Sequence, residues 1–202
     1  MSKLAFGAAG ASGVAGTGAF AAYQMGLFSP EQLTVKEVLS KEGYQVVKDD
    51  GKFKEFFKEF KSDTGFMNEV NKHKKENEDL SSDDGDKGKV ALKALCDSYL
   101  DSKDNLDKAI KWCVLRIQDT SLQSGKSWIA VQDNDSNKTE WETAFTNAKT
   151  KLIEYKVSGI DNSTAATTGY THVKAWCSES KKQPINNKNK ETLDNAVSWC
   201  TK

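Results

Sequence analysis

The sequence predicts a mainly α-helical protein, an N-terminal hydrophobic helix followed by two tandem related small helical modules, each with room for a short β element. Three observations carry this. Residues 4–25 hold no charged side chain; apolar residues beyond position 31 recur at i, i+3, i+4 and i+7, the stripe of an amphipathic helix; and two cysteine-bearing segments occur twice in the same order.

The N-terminal element comes first. As a helix, residues 4–25 would reach about 33 Å, enough for a hydrocarbon core of about 30 Å. Alanine and glycine dominate, so the hydrophobicity is modest. Gly7, Gly10, Gly13 and Gly16 recur every third residue, a strip of small residues that lets membrane helices approach closely. Residues 1–28 are therefore expected to be a membrane anchor or a signal segment, since Ala19-Phe20-Ala21 has the small-x-small form of a cleavage site. Either reading places the rest of the chain outside the cell. A competing reading takes Gly7, Gly10 and Gly13 as the GxxGxxG turn of a nucleotide-binding oxidoreductase. The strand before it would be very short, no βαβ alternation follows, and the acidic residue about 20 positions on would be Glu37, inside a helical pattern.

Beyond Gly26, Ser29 and Pro30 the composition becomes polar and lysine-rich. "LKALC" at 92–96 recurs as "VKAWC" at 173–177, and "LDKAIKWC" at 106–113 as "LDNAVSWC" at 193–200. "YQVVKD" at 44–49 is echoed by "WIAVQD" at 128–133, and within them residues 44–47 and 128–131 are candidate short strands. Phe53, Phe56, Phe57 and Phe60 are echoed by Trp141, Ala144, Phe145 and Ala148, each set one apolar helical stripe. Leu92, Leu95, Cys96, Tyr99 and Leu100 make a second stripe. Leu106, Ala109, Ile110, Cys113, Val114 and Ile117 make a third, matched by Leu193, Ala196, Val197 and Cys200. The repeat divides the chain into helical modules at 31–121 and 122–202, each small for a single core.

All four cysteines lie on these stripes, two per module. That placement favours pairs Cys96 with Cys113 and Cys177 with Cys200 over the other two connectivities. Reduced core cysteines in a cytosolic scaffold are the alternative. Zinc fits poorly: there is no CxxC, and only His73 and His172 could join the thiolates.

Charge narrows the partners. Formal charges of 29 against 29 leave no field to recruit nucleic acid, and Arg116 is the only arginine. Ser124-Gly125-Lys126-Ser127 lacks the first glycine of a phosphate loop, Thr120 standing in its place. Asp133, Asp135 and Asn137 are spaced like the start of a calcium loop, but Lys138 occupies its glycine position and Ala144 its bidentate position. Asp83, Asp84 and Asp86 fail the same test and read as a solvated loop. Neither histidine stands where a nucleophile needs a base. No catalytic constellation, cofactor, metal or small-molecule substrate is expected.

The anchor-like N-terminus, the "LSKEGYQVV" opening at 39–47, the aromatic stripes and the repeated "LDxAxxWC" endings together resemble the paralogous families of uncharacterised proteins of about 200 residues in haemotropic mycoplasmas. The resemblance implies a cell-surface protein of a wall-less bacterium on red cells, concerned with antigenic variation or host contact. It transfers no active-site residue. The expected function is that of a membrane-anchored surface protein for host interaction or antigen display, with the lipid bilayer and a host surface protein as partners. The modules would be extracellular, or secreted if the N-terminal segment is cleaved.

Overall fold

The computed structural model describes residues 33–131 and 135–202. The expected N-terminal helix, with Gly7, Gly10, Gly13 and Gly16, lies outside these residues. The described chain is mainly helical, and no helix in it is long and apolar enough to cross a membrane.

In the first half, local chemistry starts each helix. Thr34 and Glu37 form a capping box at α1 (Val35–Lys41), the Thr34 amide donating to Glu37 Oε2 at 2.7 Å. Asp49 caps α2 (Asp50–Phe60) and Asp63 caps α3 (Thr64–Val70), each carboxylate accepting an amide of the first turn. The α2 stripe faces inward: Phe53, Phe56 and Phe57 are buried, with Phe60 half-buried beside them. Burying each ring contributes about 1.5–3 kcal/mol. α4 (Gly88–Asp101) crosses α2 with Gly88 against the Phe57 ring, closer than any Cβ could stand. α5 (Leu106–Cys113) completes the cluster with Leu106, Ala109, Trp112 and Cys113.

The second half assembles α6 (Lys138–Glu154), α7 (Ala166–Lys181) and α8 (Lys190–Trp199) around its own cluster. Trp141, Ala144, Phe145 and Ala148 of α6 are buried, facing Val173 and Cys177 of α7. Gly169 of α7 sits on the Phe145 ring as Gly88 sits on Phe57.

Each candidate strand makes a single antiparallel bridge, Val46 with Val114 and Trp128 with Thr201. The next amide donates to the carbonyl of the second cysteine in both: Val47 to Cys113 at 2.9 Å, Ile129 to Cys200 at 2.8 Å. By position Val46 therefore matches Trp128, whereas aligning "YQVVKD" with "WIAVQD" sets it against Ala130. The two-residue shift keeps the same face inward, because side chains alternate along an extended chain.

The third sequence stripe is shorter than expected. α5 stops at Cys113 because Val114 turns extended (φ −113, ψ 139) to pair with Val46. Val114 lies in the first cluster, Ile117 in the second, and Leu115 packs against both. At this crossover three amides close a ring: Leu115 donates to Gln45, Gln45 to Ile185, and Ile185 to Leu115. The Arg116 guanidinium forks onto Glu59 of α2, donates to Asp119 and lies 4.6 Å over the Phe56 ring.

Candidate functional site

The four cysteines form two disulfides, Cys96–Cys113 and Cys177–Cys200, with Cα–Cα separations of 5.6 and 5.8 Å. Each ties the middle of one helix to the end of the next, α4 to α5 and α7 to the residue after α8. All four sulfurs belong to residues buried in their clusters, so none is presented to a ligand.

The polar motifs take structural roles. Burial pushes the Asp83 carboxyl up, and the amides of Gly88, Lys87 and Gly85 outweigh it, leaving Asp83 below the usual carboxylate range. Asp83 thus anchors the start of α4. Asp86 and Asp84 pair with Lys54 of α2 at 2.9 and 3.6 Å. The loop is solvated as expected, with Asp84 and Asp86 exposed, and it is also tied to α2 through Lys54. Residues 124–127 form an exposed turn about Gly125 (φ +82), with no helix following at the position a phosphate loop requires. Of the calcium-like spacing, residues 133 and 134 lie outside the described chain. His73 ends a short turn after α3, and His172 is exposed on α7 against Gly159. Among the described residues no three His, Cys, Asp or Glu side chains gather as a metal site would require.

A groove of about 860 Å³ lies beside the 44–48 segment in the first half. Its floor is apolar, made by Val46, Val47, Phe53, Leu100 and Leu115. Lys36 of α1, Lys48 of the extended segment after Val46, Lys52 of α2 and Lys93 of α4 stand around it, with Asp49 and Asp97. These charges are not equivalent. Lys52 pairs with Glu55 at 2.7 Å, Lys93 with Asp50 at 3.5 Å, and Asp49 is committed to the α2 cap. Lys36 and Lys48, and on the acidic side Asp97, have no ion-pair partner among the described residues, which leaves two free cations to one free anion. A smaller recess of about 240 Å³ beside Ile129 in the second half carries Lys202, which is held by Glu140 at 3.2 Å.

Sequence reasoning singled out the extended 44–47 segment, which forms an isolated bridge at Val46 and not a full strand, but missed the groove. The lysines come from three helices and an extended segment, separated by up to 57 positions, and no local pattern announces that they converge.

Among the described residues, fold and groove together define a disulfide-stapled, two-core helical protein with an amphipathic cleft large enough for a ligand. No family model, curated protein or solved structure matches the chain.

Proposed function

We propose that the chain is a membrane-anchored cell-surface protein whose stapled helical modules serve host interaction or antigen display, not catalysis. The observation that carries this is the pair of buried disulfides, one in each core, because disulfides persist in oxidising compartments and are rare in reducing ones. The uncharged run at 4–25 supports an anchor or export segment, and the resemblance to the paralogous families of haemotropic mycoplasmas supports the surface address. Binding would fall to the exposed surface, since both cores are closed by their own side chains.

Non-reducing peptide mapping of protein from its native cells, with thiols alkylated before lysis, tests the reading. The expected result is both linked peptide pairs, together with loss of the 33–202 region when intact cells are treated with protease. Four alkylated thiols, or protection from protease until lysis, would overturn it in favour of a reduced intracellular scaffold.

A further inference from the structure

The first half carries an open strand edge. In the bridge between Val46 and Val114 the flanking residues make the hydrogen bonds, Val47 to Cys113 at 2.9 Å and Leu115 to Gln45 at 2.7 Å. The N–H and C=O of Val46 itself therefore point away from residues 113–115. Tyr44 faces that same outer side, and its amide is taken by the Leu39 carbonyl at the end of α1. Beyond that contact neither backbone group of Val46 has a partner among the described residues, and Val46 lines the groove.

An open edge, an apolar floor and an excess of cations, Lys36 and Lys48 against Asp97, on one cleft specify a ligand. An extended peptide added to an edge gains main-chain hydrogen bonds, and its alternate side chains fall into the cleft. Val47, Phe53, Leu100 and Leu115 would receive the apolar ones. The opposite alternation projects toward the rim, where Lys36 and Lys48 lack ion-pair partners among the described residues. We infer that this edge binds an extended segment of a partner protein that alternates acidic and apolar residues, its main chain pairing with Val46 and its carboxylates with Lys36 and Lys48. The inference concerns the groove alone and holds wherever the chain resides.

The test is fluorescence anisotropy with the full chain and a short synthetic peptide of alternating glutamate and valine. Saturable binding is expected, weakened about tenfold by Lys36→Glu with Lys48→Glu and by raising salt to about 0.5 M. Val46→Pro should abolish it. The Val46 amide takes no part in the ladder to Val114, so proline removes the donor facing the groove and leaves the bridge bonds in place. Helical circular dichroism and disulfide mapping check that each variant folds. If Val46→Pro fails to fold, the lysine pair still decides the outcome. No saturable binding would overturn the inference, as would equal binding of a lysine–valine peptide. Competition by dodecanoate with no effect of Val46→Pro would instead make the cleft a fatty-acid groove. Self-association that Val46→Pro removes would make a second copy of the chain its occupant.

Discussion

The Gln45 amide donates to the Ile185 carbonyl at 3.2 Å, joining the first half of the chain to the loop before its last helix. This bond closes the ring with Leu115, and a further amide, Asn187, donates to Glu42 at 3.0 Å. The two cores are therefore fastened through backbone at the crossover, with Arg116 clamping the same strand to α2.

That clamp has a measurable strength. Arg116→Lys keeps the charge but loses the planar fork and the stacking over Phe56. Because Glu59 is half exposed, a double-mutant cycle with Glu59→Gln should give a coupling of about 1 kcal/mol in urea unfolding. A coupling of zero would mean the fork is incidental.

The glycine–phenylalanine contacts offer a second test. A Cβ at Gly88 or Gly169 would enter the ring of Phe57 or Phe145, inside any contact distance a side chain tolerates. Alanine at either position should destabilise by about 1–3 kcal/mol through overpacking, outweighing its better helix propensity. Gly125→Ala, with open space around it, should cost only the strain of its positive φ. Denaturant midpoints of the three variants rank the effects.

The staples should differ little from one another. They close loops with sequence separations of 17 and 23, so removing either by paired Cys→Ala substitution should cost about 3 kcal/mol in the loop-entropy account. Calorimetry of each double variant should show the substituted half melting first. Unchanged transitions would show that the packed aromatic clusters suffice without the bridges.

Acid should loosen the first half. Hydrogen bonds from Lys72 and Lys108 hold Glu69 down at about 2, against 4.5 when unperturbed. A carboxyl depressed by folding stabilises the native state above its unfolded value, and that stability is lost as pH falls through the folded value. The urea midpoint should therefore decline between about pH 4.5 and about pH 2. Lys108 joins Glu69 of α3 to α5 at 3.0 Å, so hydrogen exchange should rise first around residues 106–113. Glu69→Gln should flatten that part of the pH profile.

Much of the fold was legible because it rests on local chemistry. The stripe of Phe53, Phe56 and Phe57, the Thr34–Glu37 capping box and the cysteines on inward faces are patterns within one or two helical turns, and periodicity reports them directly. The cysteine pairing followed from the same faces. The sequence pattern also extended the α5 stripe to Ile117, and there it failed: apolar spacing cannot distinguish a helix that continues from one that ends in an extended crossover.

By itself, then, the sequence determined the helices, their buried faces and which cysteines could meet, since each depends on neighbours along the chain. Only the tertiary structure decided where one core yields to the next, that Gln45, Leu115 and Ile185 close a ring, and that Lys36 and Lys48 flank an open edge over an apolar floor. Those features arise from backbone groups and charges far apart in sequence, and their relation is set by how the helices pack, which no local period encodes.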